Sequence, residues 1–220
     1  MGIRKTTSSK KLKIAVTGHT SGIGKAIYDM GILQGHDVVG FSRVTGFNLK
    51  NIGKQYTTDK DFDQHQRFEY TEDTQRFLRE IKDYDVFINN AHLQWSQIDL
   101  LYAVYEMWQK QNKSIICIGS TAKDHNEPAE ITKPYYHQKI ALETIVDNFG
   151  VYGKGKCKVS IVRPGWVDTG LFDKQPEYKR TIPMGIKTIP SDKIAESVYY
   201  ILNQPKNVYI KNISVESWYI

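Results

Sequence analysis

The sequence predicts a doubly wound α/β fold on a mostly parallel sheet, in three α/β/α layers. Short apolar runs alternate with longer amphipathic stretches, the pattern of strands joined by crossover helices. The first of those strands runs into a glycine-rich turn that opens a helix, and such turns can receive a phosphate. Size agrees: 220 residues, 40% hydrophobic and 12% aromatic, suit one globular unit with a substantial core and weigh against disorder.

Taken in order, residues 13–17 read as the first strand. A helix follows over 23–34, with Ile23, Ile27, Met30 and Leu33 on one face and Gly35 placed to end it. Residues 37–41 form the second strand, while 50–68 are polar and give no clear element. A helix over 72–82, a strand over 85–88 and a helix over 98–110 come next, the last marked by Ile98, Leu101, Tyr105 and Trp108. A strand at 114–118, a helix at 135–149 and a strand at 158–162 continue the alternation. A helix at 192–202, with Ile194, Val198, Ile201 and Leu202 inward, leads to a strand at 208–215. No internal repeat or linker rich in Pro, Gly or Ser interrupts this, so one domain is expected over 13–220, after a basic arm at 1–12.

Composition limits the function. Thirty Lys+Arg against 24 Asp+Glu give a net charge of +6, which favours anionic partners. Arg4, Lys5, Lys10, Lys11 and Lys13 carry much of the excess, which describes a solvated arm better than a nucleic-acid face, so no nucleic-acid partner is expected. Residues 1–6 fit the loose pattern for N-myristoylation, a weak signal, and no apolar stretch follows as in a secretory leader. No apolar run reaches the roughly 18 residues of a membrane span. Two cysteines, Cys117 and Cys157, are too few for a disulfide framework or a cysteine zinc site; they read as packing residues in a reducing, cytoplasmic setting. Asp59, Asp61 and Asp63 begin like a calcium loop, but Gln64 stands where glycine is needed, and no metal is expected. Trp95, Trp108 and Trp218 read as core or interface.

The turn itself runs Thr17-Gly18-His19-Thr20-Ser21-Gly22-Ile23-Gly24. A helix N-terminus offers unpaired N–H groups and partial positive charge, and glycines let the backbone approach a pyrophosphate. A P-loop is excluded: Gly24-Lys25 is followed by Ala26, and the residue five before Gly24 is His19. The spacing instead resembles the T-G-x-x-x-G-I-G turn of the short-chain dehydrogenase/reductase family, whose fold is of the Rossmann type. The second strand ends Phe41-Ser42-Arg43 with no acid beyond it until Asp59; Arg43 is suited to the 2′-phosphate of NADP, with help from Thr20 or His19. NADP(H) is therefore favoured over NAD(H), with Asn48 and Leu49 as further cofactor contacts.

Four more segments resemble that family, in its order. Asn89-Asn90-Ala91 is similar to its N-N-A-G, with His92 replacing the glycine. Ser120 stands where the family has its catalytic serine, and Tyr135-Tyr136-His137-Gln138-Lys139 contains Y-x-x-x-K. Pro164-Gly165-Trp166-Val167-Asp168-Thr169 resembles the P-G-x-x-x-T beside the nicotinamide pocket. The resemblance implies an oxidoreductase that interconverts a small-molecule carbonyl and alcohol by hydride transfer. Tyr135 would be its acid/base, assisted by Lys139 and Ser120. Cofactor contacts would come from Gly18, Thr20, Ser21, Gly22, Ile23, Gly24, Arg43, Asn48, Leu49, Asn89, Asn90, Ala91, Tyr135, Lys139, Pro164, Gly165, Val167 and Thr169, and substrate contacts from His92 and Trp166.

The chemistry explains these residue types. A phenol with a pKa near 10 is a reluctant proton donor or acceptor at neutral pH, and a lysine at i+4 favours its anion. Only Tyr135 has that lysine; Tyr136 pairs with Ile140 and reads as a packing or pocket residue. One family feature is missing. The asparagine that completes its Ser-Asn-Tyr-Lys set has no counterpart, since counting back from Ser120 reaches His92 or Leu93. Either His92 or bulk water serves as relay, or turnover is impaired, which leaves a dinucleotide-binding sensor or scaffold as the alternative. The segment is also shortened where relatives dimerise, so a homo-oligomer is left open. Residues 170–190 are expected to form a lid.

Overall fold

Side-chain alternation along the strands splits the core into two halves, one on each face of a parallel sheet. In the computed structural model, which describes residues 10–56, 68–124, 133–151, 155–170 and 185–218, the elements run as follows. They are β1 (Lys13–Thr17), α1 (Gly22–Leu33), β2 (Asp37–Phe41), β3 (Lys54–Tyr56), β4 (Phe68–Tyr70), α2 (Glu72–Ile81), β5 (Val86–Asn89) and α3 (Ser96–Trp108). There follow β6 (Ser114–Ile118), α4 (Pro134–Val151), β7 (Lys158–Pro164), β8 (Val167–Asp168), β9 (Ile189–Pro190), α5 (Ser191–Leu202) and β10 (Asn212–Val215).

Six strands pair in the order β10-β7-β6-β5-β1-β2, every pair parallel. The chain winds outward from β1 to β2, then returns to lay β5 on the other side of β1. That reversal opens a crevice beyond the C-terminal ends of β1 and β5, the usual ligand position in doubly wound sheets. Ile14, Val16, Val86, Ile88, Ile116 and Ile118 face α1 and α5, with Ile27, Ile194 and Val198 packed on them. Ala15, Phe87, Ile115 and Cys117 face the other layer, with Phe77, Leu101, Val104, Trp108 and Leu142. Period-two alternation produces this division, and it confirms the three-layer expectation.

Local chemistry fixes the connections. Gly35 has φ +82° just after α1, the left-handed turn expected there. Gly31 lets α1 approach α5, because a Cβ there would lie 2.2 Å from the Tyr199 hydroxyl, which itself donates to Ile27 O at 3.0 Å. After β2 the chain turns through short 3₁₀ segments at Arg43–Thr45 and Leu49–Asn51, and β3 pairs antiparallel with β4 as a separate two-stranded sheet.

Two expectations change. Helix α3 starts at Ser96, two residues before the predicted boundary. The last strand spans only Asn212–Val215, because the carbonyls of Val208 and Ile210 accept from Lys158 Nζ and Ser160 Oγ instead of from a strand. Of the three tryptophans read as core or interface, Trp108 is fully buried in the core, while Trp95 is 50% and Trp218 79% exposed. Cys117 and Cys157 are buried and free. At the end of the expected basic arm, Lys10 pairs with Asp85 at 3.1 Å and Leu12 packs on the core. The myristoylation pattern and the calcium-like aspartates lie outside the described residues, as do residues 1–9 of the arm and 171–184 of the expected lid. Among the described residues no helix is long and apolar enough to cross a membrane.

Candidate active site

The glycine turn closes against the loop after β5. Thr17 Oγ1 accepts from the backbone N–H groups of Asn90 and Ala91, both at 3.0 Å, and Asn90 Nδ2 donates to Thr17 O at 2.9 Å. Gly18 and Gly22 have φ of +72° and +54°, conformations that suit glycine. A Cβ on Gly24 would meet Gly18 O at 2.2 Å and Asn90 Nδ2 at 2.5 Å, so the turn admits no side chain there. Thr169 packs on Gly22, 2.9 Å from where a Cβ would lie. Thr20 and Ser21 are exposed at the N-terminus of α1, Ile23 is half-buried, and Ser21 makes no side-chain cap that would cover the helix end.

The imidazole of His19 lies over Gly40, where a Cβ would fall 2.1 Å from the ring. Its Nδ1 is buried with no hydrogen-bond partner, and so is Oγ of Ser42, two residues beyond Gly40. Arg43 is exposed, and its guanidinium has no acid partner among the described residues. Asn48 acts locally, its Oδ1 accepting from Lys50 N at 3.1 Å to cap the 3₁₀ segment. Leu49 lines a cavity of 290 Å³ shared with Leu93 and Trp95.

The other side of the crevice is built from buried side chains. Helix α4 presents Tyr135, 40% exposed, while Lys139 one turn later is buried. The Lys139 ammonium sits 5.5 Å from the centre of the Tyr135 ring. It donates to Gln97 Oε1 at 2.9 Å and to Ile118 O, at the end of β6, at 3.0 Å. Ser120 stands two residues beyond Ile118, and its Oγ accepts from Ala122 N at 3.1 Å. Burial pushes the Lys139 pKa down to about 8, partly opposed by Cys117. His92 packs edge-on against Tyr135, ring centres 5.1 Å apart, with the side chains of Gln97 and Gln138 beside it. Burial, with the Lys139 charge, takes its pKa down to about 4, so it is neutral near pH 7.

Gln97 was not among the residues the sequence pointed to. It is 2% exposed, and its Nε2 donates to Asn89 O at 2.7 Å and Ile118 O at 3.0 Å. The spacing Gln97, Leu101, Val104, Trp108 continues the buried stripe of α3 back by one turn, which was the signal available. Two expected cofactor contacts have buried side chains. Asn89 is fully buried on the face of β5 that carries Phe87, and its Nδ2 donates to Gln97 O at 2.7 Å, so it braces α3. Val167 is buried in the core, which leaves only its backbone for a ligand. Tyr136 is buried.

A second buried cluster holds the Ser120 turn. Arg163, on β7 just before Pro164, pairs with Asp124 and lies 3.1 Å from Glu143 on α4, close as an ion pair though not aligned as a hydrogen bond. Lys123 joins Glu143. Past Pro164, Gly165 N donates to Val215 O at 2.8 Å, and half-buried Trp166 accepts at its carbonyl from Ile189 N at 2.7 Å.

The architecture defines a class: a doubly wound α/β/α fold whose crevice lies between a glycine turn and a Ser-Tyr-Lys group. Within that class it has the fold of the short-chain dehydrogenases/reductases. No family model matches the sequence, and neither does any curated protein. Solved structures match along nearly the whole length. A closed form of serine dehydrogenase complexed with NADP+ superposes with TM-score 0.71 at 18% identity, covering 93% of this chain and 94% of that one. An alcohol dehydrogenase from the archaeon Thermococcus sibiricus, complexed with 5-hydroxy-NADP, gives TM-score 0.63 at 17% identity over 94% and 96% of the two chains. A 3-alpha-hydroxysteroid dehydrogenase from a Pseudomonas species, complexed with NADH, gives 0.64 at 19% identity over 93% and 95%.

Proposed function

We propose that this chain is a short-chain oxidoreductase that interconverts a small-molecule carbonyl and the corresponding alcohol with a nicotinamide dinucleotide, NADP(H) in preference to NAD(H). The observation that carries this reading is the convergence, around one crevice, of the glycine turn, Thr169, the Tyr135–Lys139 pair and the strand end that bears Ser120.

The residues present fit such a cofactor. The glycine turn leaves the backbone of α1's N-terminus open to a pyrophosphate. The orphaned Nδ1 of His19 and Oγ of Ser42 lie on the side of β2 where Arg43 begins, polar atoms that a ribose 2′-phosphate would satisfy. Asn90 and Ala91 complete the floor of the crevice, and two of the three Lys139 donors are used, which leaves one for a ligand.

When bound, the dinucleotide supplies or accepts the hydride. The chain's own residues manage the oxygen and its proton. Tyr135 donates its hydroxyl proton to the nascent alkoxide, or accepts one in the reverse direction. The Lys139 ammonium favours the phenolate that remains. Ser120 Oγ holds the substrate oxygen toward Tyr135, and His92 and Trp166 border the substrate. Serine dehydrogenase and alcohol dehydrogenase among the similar structures support this reaction class.

The test is a thermal-shift comparison of NADPH and NADH, then a panel of carbonyl compounds with the better ligand. NADPH should raise Tm more than NADH at equal concentration, and at least one carbonyl should drive its oxidation. Binding without oxidation by any carbonyl would instead favour the sensor or scaffold reading.

A further inference from the structure

We propose that Gln97 is the positioning residue for Lys139, doing from the first turn of α3 the work left open by the absent asparagine; the proposal rests on the oxidoreductase reading above. Gln97 and Lys139 are both almost fully buried, 2% and 6% exposed, and meet directly at 2.9 Å. No water is needed between them.

The network dictates which way the amide faces. Both acceptors near Nε2, the carbonyls of Asn89 and Ile118, can only accept. Turning the amide over would set its oxygen against two carbonyl oxygens and its NH₂ against an ammonium. Oε1 is therefore committed to Lys139. The same amide ties together the ends of β5 and β6 with α3, so the lysine is held relative to both strands that border the crevice.

A neutral amide suits the site better than an acid. A carboxylate at this position would face the Asn89 and Ile118 carbonyls with its second oxygen and would draw the lysine charge toward itself, away from the Tyr135 phenol. The amide oxygen accepts a hydrogen bond, stabilises the ammonium against its burial and leaves the charge available. Among the described residues, titratable groups around Lys139 include Tyr135 on its own helix, Cys117 on β6 and His92 beyond β5, while Glu143, one turn further along α4, is taken up by Lys123 and Arg163. Neither Cys117 nor His92 supplies an anion at neutral pH, since burial holds the Cys117 thiol up at about 12 and His92 is neutral. Among the described residues, removing Gln97 Oε1 leaves one hydrogen-bond acceptor for the ammonium, the backbone carbonyl of Ile118.

The experiment measures the pKa of Lys139 by NMR of ¹³Cε-labelled lysine in the full chain without cofactor, its signal assigned by loss in Lys139→Met. In Gln97→Met the pKa should fall by about one unit or more, and in Gln97→Glu it should rise by a similar amount. Opposite shifts are what a purely structural role would not give. The alkaline limb of kcat/KM should move the same way in each variant. Unchanged values in both variants, or shifts of the same sign, overturn the proposal. Should Gln97→Met fail to fold, the direction in Gln97→Glu decides. A wild-type chain that reduces no carbonyl would overturn the function proposed above, while opposite NMR shifts would still support the Gln97–Lys139 link.

Discussion

The two walls of the crevice are made differently. The wall formed by β1, α1 and β2 is a surface of backbone: Gly18, Gly22 and Gly24 leave room, and Thr17 and Asn90 lock the turn through main-chain atoms. The wall formed by β5, α3, β6, α4 and β7 is a web of buried side chains, in which Lys139, Gln97, Asn89, Glu143 and Arg163 all sit below one-tenth exposure. A backbone wall tolerates no added atoms but carries few charges. A side-chain wall depends on every polar group keeping its partner. The first kind suits a large anionic ligand held by main-chain N–H groups; the second suits placing one proton donor and one cation with accuracy.

If the contrast is right, the largest loss of stability comes from the side-chain wall. Arg163→Met leaves Glu143 with Lys123 as its cationic partner among the described residues and should lower unfolding free energy by about 3 kcal/mol, the low end of the range for breaking one side of a buried ion pair; chemical denaturation measures it. A loss below about 1 kcal/mol would mean that the cluster is hydrated.

On the backbone wall, Gly24→Ala should cost about 1 to 3 kcal/mol through overpacking against Gly18 O. Its dinucleotide affinity should fall more than its stability suggests, because the turn must shift to admit the methyl. Equilibrium titration of nucleotide fluorescence reads this, and unchanged affinity would show that the turn does not cradle the ligand.

Smaller still is the effect at the strand end. Arg43→Ala should weaken NADPH binding about tenfold, as expected for one charge-assisted contact, and leave NADH within about twofold. Equal losses for both nucleotides would remove Arg43 from the 2′-phosphate reading and leave it a solvated arginine.

The same contrast explains what the sequence made legible. The glycine turn could be read because its determinants are contiguous: positive φ, close backbone approach and a helix start occupy eight residues. Tyr135 and Lys139 were legible because i and i+4 share a helix face. Gln97 was hidden because its role depends on where α3 begins, and a polar residue ahead of the first apolar position looked like a loop. Asn89 is the opposite case. Its motif pointed to the cofactor, while strand alternation with Phe87 turns its side chain toward α3. Arg163, Asp124 and Glu143 come from three separate stretches of chain, and no local pattern announces their meeting. The polar run after residue 50 gave no periodicity to read, and its short β3–β4 pair owes its register to cross-strand contacts.

Tyr135→Phe tests most directly whether this crevice performs proton-coupled hydride transfer. The substitution removes one hydroxyl from a 40% exposed ring and leaves the glycine wall untouched. Turnover of the best carbonyl should fall by about a hundredfold or more, with the NADPH dissociation constant kept within about threefold. Turnover equal to that of the wild-type chain would contradict the assignment of the phenol as the acid/base.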